Sequence, residues 1–151
     1  MQFDPQLLQQ CLFLAGPTAS GKSAHALALA KEQGGVIINA DSQQVYADLR
    51  ILTARPSPQE EARAPHKLYG FMSAQESCSA GKWLRLAKME IDWALAEGKT
   101  PIVVGGTGMY IRALMQGLAE IPDQGRTGRT CRQGRGRSDD EAARRSPRLR
   151  P

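Results

Sequence analysis

Gly16, Gly21, Lys22 and Ser23 lie in the stretch GPTASGKSAHALALA at the spacing G-x-x-x-x-G-K-S. Those residue types in that order suit one task, the holding of phosphate. The glycines let the backbone take turns closed to other residues, so successive N–H groups point inward at an anion beside the positive end of a helix. Lys22 adds a point charge, and Ser23, in the first helical turn, offers its hydroxyl to a Mg²⁺ ion bridging phosphate oxygens. A Gly-Pro turn followed by Ser20 as a helix N-cap is the plainer alternative, but a cap needs neither Gly16 nor Lys22.

Two other segments carry residues of chemical interest. In NADSQQVY, Asp41 can cap a following helix or act as a proton acceptor. In GGTGMYIRAL, Gly105, Gly106 and Gly108 surround Thr107, which suits either a tight turn or a hydroxyl presented to a bound group.

The elements that must position these residues are legible in the apolar pattern. CLFLA, residues 11–15, reads as a buried strand, and Ala24, Leu27, Ala28 and Leu29 open a helix after the glycine loop. Further strands are expected at 36–39 and 102–104. Between them, Leu84, Ala87, Ile91, Ala94 and Leu95 fall on one helical face, with Ser79 as cap and Gly98 as stop. Pro56, Pro58 and Pro65 mark a loop, with LYGFM a further strand. Strands alternating with helices predict a parallel α/β sheet, in which ligands sit outside the carboxyl ends of the strands, where all three segments lie. Trp83 and Trp93 are expected in the core. His25 is expected on a helix surface and His66 in a loop, neither with a chemical role.

Composition sets the outer limits. The 151 residues are 41% hydrophobic, enough for one medium domain. No run of eighteen apolar residues and no basic, apolar leader is present, so a chain off the membrane and in the cytoplasm is expected. Cys11, Cys78 and Cys131 form no C-x-x-C pair, which points away from a disulfide framework or a zinc site. The net charge of +5 belongs to one end: residues 1–123 carry −1 and residues 124–151 carry +6.

Taken in order, GPTASGKS, INADSQQVY, YGF, the GKW of the long helix and PIVVGGTGMYIRAL resemble the tRNA dimethylallyltransferases, over residues of about 11–123. That resemblance implies a P-loop NTPase-like parallel sheet with flanking helices. It also implies transfer of a dimethylallyl group from dimethylallyl diphosphate to N6 of the adenine 3′ of the anticodon in tRNA, with Mg²⁺ as cofactor. On the family pattern, Gly16, Pro17, Thr18, Ala19, Ser20, Gly21, Lys22 and Ser23 hold the diphosphate, and Ser23 also serves the Mg²⁺. Asp41 is the general base, Thr107 contacts the substrate, and Asp41, Ser42, Gln43, Gln44 and Thr107 form the tRNA pocket. A later arginine used by the family on the diphosphate has no counterpart here. The other readings are a P-loop small-molecule kinase using the same loop for ATP, an adenylate-directed relative, and an inactive diphosphate- or nucleotide-binding fragment. A monomer is favoured.

Two regions follow. On that resemblance, residues 1–123 are expected to form the prenyltransferase core, truncated relative to the family. Residues 124–151 hold nine arginines, no lysine and a single leucine among the large aliphatic residues, a composition that predicts disorder. Arginine, glycine, proline and alanine are encoded by GC-rich codons, so this tail is expected to be a frameshift product rather than an RNA-binding arm.

Overall fold

The computed structural model describes residues 3–17, 19–49, 53–106 and 108–116, all of them in the unit Met1–Ile121. Thr18, Thr107, Cys131 and the whole arginine-rich segment lie outside the described residues.

After a short helix, α1 (Pro5–Leu8), four strands, β1 (Leu12–Ala15), β2 (Val36–Asn39), β3 (His66–Lys67) and β4 (Pro101–Gly105), form one parallel sheet in the order β1-β4-β2-β3. The middle strands β2 and β4 are buried at every position, which is why VIIN and PIVVG read as continuous apolar runs. Pro101 sits at the first residue of β4, where a missing N–H is tolerated.

Successive side chains leave a strand on opposite faces, and the core divides accordingly. Val36, Ile38 and Val103 pack with Trp83, Leu84, Ala87 and Ile91 of α4 (Ala80–Ala96) and with Tyr110 and Leu114 of α5 (Met109–Gln116). Ile37, Ile102 and Val104 pack on the other face with Ala26, Leu27 and Ala30 of α2 (Lys22–Gln33). Helices cover both faces, the three-layer arrangement of a P-loop NTPase-like fold.

The caps of α4 are those expected. The Ser79 hydroxyl accepts from the Lys82 N–H at 3.1 Å, and beyond the last turn Gly98 takes a φ of 66° while Lys99 N–H donates to the Ala94 carbonyl. Other expectations need correction. The strand expected in LYGFM forms earlier, at His66–Lys67, leaving only an isolated bridge from Met72 to Tyr46; Leu68 and Gly70 both have positive φ, which breaks an extended run. His66 is therefore in a strand rather than a loop, with Nδ1 2.8 Å from the Ala64 carbonyl oxygen. Trp83 is fully buried, but Trp93 is 38% exposed, on the opposite side of α4 from the core, with the Lys67 and Lys99 ammonium groups 4.6 and 5.0 Å from its ring. Two stacked cations cover an indole that would otherwise face water.

Among the described residues no helix is long and apolar enough to cross a membrane.

Candidate active site

The parallel register brings three strand ends together. Ala15 pairs with Gly105 and Asn39 with Val104. The ladder continues one step into the turns, with Gly16 N–H donating to the Gly105 carbonyl at 3.3 Å and Ala40 N–H to the Val104 carbonyl at 2.8 Å. The phosphate-type loop, the Asp41 segment and the glycine turn before α5 thus leave the same edge of the sheet side by side.

Within the first loop, Ala19 and Gly21 both have positive φ, at 62° and 77°. Alanine is rarely found there, so the loop stores strain of the kind kept at functional sites. Gly21 is the N-cap of α2 and no side chain caps the helix. Ser20 therefore does not take the capping role, and the first N–H groups of α2 are left for a ligand or solvent. Lys22 Nζ donates to the Pro17 carbonyl at 2.8 Å, which folds the ammonium back over the loop.

Asp41 caps no helix, because residues 42–45 form turns. Its Oδ1 accepts from the Gln43 N–H at 2.8 Å in an Asx turn. The Asp41 backbone is gripped by Asn39, whose Oδ1 accepts from Asp41 N–H at 2.9 Å and whose Nδ2 donates to the Asp41 and Leu68 carbonyls at 3.1 and 3.0 Å.

A groove of about 590 Å³ is lined by Lys22, Ser23, Asp41, Gln43, Gln44 and Glu60, among others. A smaller cavity of about 120 Å³ is lined by Ala40, Asp41, Ser42, Gly106, Met109 and Tyr110. Asp41 is common to both. Gln44 is largely spent on structure, since its Nε2 donates to the Thr53 carbonyl at 2.7 Å. Glu60 was not anticipated. It stands at the end of the capping box that starts α3 (Pro58–Glu61), and hydrogen bonds from the Ser57 N–H and hydroxyl, both 2.8 Å, hold its carboxyl below the usual carboxylate range.

The structure therefore gathers Ala19, Ser20, Gly21, Lys22, Ser23, Asp41, Gln43 and Gln44 around one groove and sends Ser42 to the smaller cavity. Gly16 and Pro17 line an adjoining opening of about 480 Å³ that shares Ser20, Gly21 and Lys22 with the groove. Sequence reasoning missed Asn39 and the buried indole that binds its carbonyl. The available signal was a polar residue ending an otherwise apolar strand, since such a group, once buried, must find partners.

Residues 44–148 match the family model described as IPP transferase. The chain belongs to the IPP transferase family. The matched span includes residues on both sides of position 123. The chain is 56% identical over 111 residues to a tRNA dimethylallyltransferase of Nitrobacter hamburgensis, covering 74% of this chain and 35% of that one. It is 60% identical over 112 residues to a tRNA dimethylallyltransferase of Azorhizobium caulinodans, covering 74% and 36%. Among solved structures it is similar to a tRNA delta(2)-isopentenylpyrophosphate transferase of Staphylococcus epidermidis, with a TM-score of 0.66 and 38% identity over 69% of this chain and 34% of the other. It is also similar to a eukaryotic dimethylallyltransferase acting on tRNA, with a TM-score of 0.70 and 32% identity over 78% of this chain and 29% of that one. The chain spans about a third of the length of the curated relatives it matches. As a member of that family, it shares the relatives' fold over the part that builds the groove.

Proposed function

We propose that the groove takes dimethylallyl diphosphate and that the chain carries the donor-binding and proton-accepting parts of a transfer to N6 of the adenine 3′ of the anticodon in tRNA. The observation that carries this reading is the single lining shared by Lys22, Ser23 and Asp41. A cation, a helix N-terminus and a carboxylate line one space, which suits a leaving diphosphate and an amine losing a proton.

The steps balance simply. The adenine N6 forms a bond to carbon one of the donor as the carbon–oxygen bond to the diphosphate breaks, and the N6 proton passes to the Asp41 carboxylate. Charge builds on the departing oxygens, where Lys22 and the loop N–H groups are preorganised to meet it. That Asp41 borders both cavities supports reading it as the residue between donor and acceptor. The adenine must leave its stack to arrive there.

Mg²⁺ fits this donor set. Among the described residues there is no group of three or more His, Cys, Asp or Glu able to hold a metal, so the protein would offer the Ser23 hydroxyl while diphosphate oxygens and water complete the shell. Mg²⁺ is commonly bound in this manner, and it would supply charge to the leaving group.

The test is incubation of the chain with labelled dimethylallyl diphosphate, Mg²⁺ and unmodified tRNA, followed by nucleoside analysis. Label on N6 of that adenine is the expected result. Phosphoryl transfer from ATP, with no response to the isoprenoid donor, would favour the kinase reading instead.

A further inference from the structure

Asn39 ends β2 with no exposed surface, the one fully buried polar side chain among the described residues. Burying an amide without partners is costly, yet this one is used in full. Its Oδ1 accepts from Asp41 N–H, and its Nδ2 donates to the carbonyls of Asp41 and Leu68. Its own backbone carbonyl accepts from Trp83 Nε1 at 2.8 Å, a bond that crosses from β2 to α4 within the core. Leu68, the third partner, has a φ of +62° that a leucine adopts only under constraint.

The peptide groups on both sides of the Asp41 Cα are thus clamped to one buried side chain, and the backbone carbonyl of the same residue is anchored to a core helix. Among the described residues, the Asp41 carboxylate itself is held by one local bond, Oδ1 accepting from the Gln43 N–H. With the backbone locked, the carboxylate has few places to go beside the two cavities that Asp41 lines.

We infer that Asn39 is a positioning residue, which holds the Asp41 carboxylate at the junction of the two cavities by clamping the Asp41 backbone through its buried amide. The inference rests on the reading of Asp41 as proton acceptor. A glutamine would be too long for the same three bonds, and an alanine would leave Asp41 N–H and the Leu68 carbonyl without their partner. Serine keeps a short acceptor that can make the same local turn more weakly.

The test compares Asn39→Ala and Asn39→Ser with the parent chain by NMR. The Trp83 indole N–H signal reports that the fold and the β2–α4 bond, which uses only the Asn39 backbone, persist. The exchange rate of the Gln43 amide reports the Asp41 carboxylate, because that amide touches Asp41 and not Asn39. We expect Gln43 exchange to rise about tenfold or more in Asn39→Ala, with an intermediate value in Asn39→Ser. In tRNA transfer, kcat per donor-binding site should fall about tenfold or more in Asn39→Ala, while KM for dimethylallyl diphosphate stays within about twofold. Unchanged Gln43 exchange in a variant that retains the Trp83 signal overturns the inference, as does an unchanged kcat. A parent chain that transfers nothing counts against the proposed function, and the Gln43 exchange rate then decides the role of Asn39 by itself.

Discussion

The indole Nε1 of Trp83, in the second turn of α4, donates to the carbonyl oxygen of Asn39 at 2.8 Å, and neither residue has exposed surface. One hydrogen bond thereby joins the core helix to the strand end that precedes Asp41. The Trp83 ring also stacks on Tyr110 of α5, with centroids 4.6 Å apart and planes 8° from parallel. Tyr110 in turn donates its hydroxyl to the Cys78 carbonyl at 3.2 Å, just before α4 begins.

The first prediction follows from that bond. Trp83→Phe keeps an aromatic ring against Tyr110 but leaves a buried carbonyl without its donor, so it should destabilise the chain by ~1–3 kcal/mol. Trp93→Phe, at the exposed site between two lysines, should cost under ~1 kcal/mol. Urea denaturation of the two variants checks the contrast, and equal losses would mean that the indole bond contributes nothing.

Gly105 gives the second. A Cβ there would lie 2.6 Å from the Ala40 carbonyl oxygen and 2.7 Å from its carbon, backbone atoms that cannot swing aside. Gly105→Ala should therefore cost ~1–3 kcal/mol, the range for overpacking. It should also weaken donor binding, because Gly105 itself lines the groove beside Lys22 and Ser23. Gly108→Ala, with nothing within 4 Å, should be tolerated far better. Thermal melts and donor titrations of both variants decide the matter.

Alkaline pH supplies the third. Burial pushes the Cys11 thiol from its ordinary 9.0 up to about 11, and it raises the Tyr69 and Tyr110 hydroxyls as well, with the Asp41 charge adding to Tyr69 and the Cys78 contact to Tyr110. Each group keeps its proton longer in the folded chain than in the unfolded one. The associated stability is complete below the unfolded value and is lost as pH rises through the folded one. The urea midpoint should therefore fall between pH 9.0 and about 11 for Cys11 and keep falling beyond as the tyrosines contribute. A midpoint that held constant over that window would contradict the assignment.

Asp41→Asn is the fourth. Asparagine keeps an oxygen to accept from Gln43 N–H, so the Asx turn and the fold should survive. It cannot accept the N6 proton. Transfer should fall by ~10²–10⁴, with donor affinity nearly unchanged, as read by paired rate and calorimetric measurements. Activity within a few-fold of the parent would reduce Asp41 to a turn residue.

Much of this architecture was legible in the residues, and the exceptions share a cause. The runs VIIN and PIVVG announce strands because both faces of the middle strands are buried, and LFLA, expected to be buried, forms the half-buried edge strand β1. Ser79 and Gly98 announce the ends of α4 because capping chemistry is local. The groove was legible as three segments after three strands, since a parallel sheet places such segments together. What stayed hidden depends on contacts between residues far apart in the chain. The bonds of Asn39 to Leu68 and Trp83 span 29 and 44 positions. The local pattern marks Asn39 as a polar residue ending an apolar strand, but it does not encode which distant groups will partner it. Trp93 misled for the converse reason, because its covering cations come from β3 and from the loop after α4.

The central claim is that the loop ending in Lys22 and Ser23 takes an allylic diphosphate rather than a nucleoside triphosphate. Calorimetric titration with dimethylallyl diphosphate and with ATP, each with Mg²⁺, on the parent chain and on Lys22→Ala tests it most directly. The account predicts saturable binding of dimethylallyl diphosphate, weak binding of ATP, and a loss of donor affinity of about tenfold or more in Lys22→Ala, the worth of a charge-assisted contact. Tight ATP binding beside an undetectable isoprenoid donor, or donor affinity indifferent to Lys22, would contradict it.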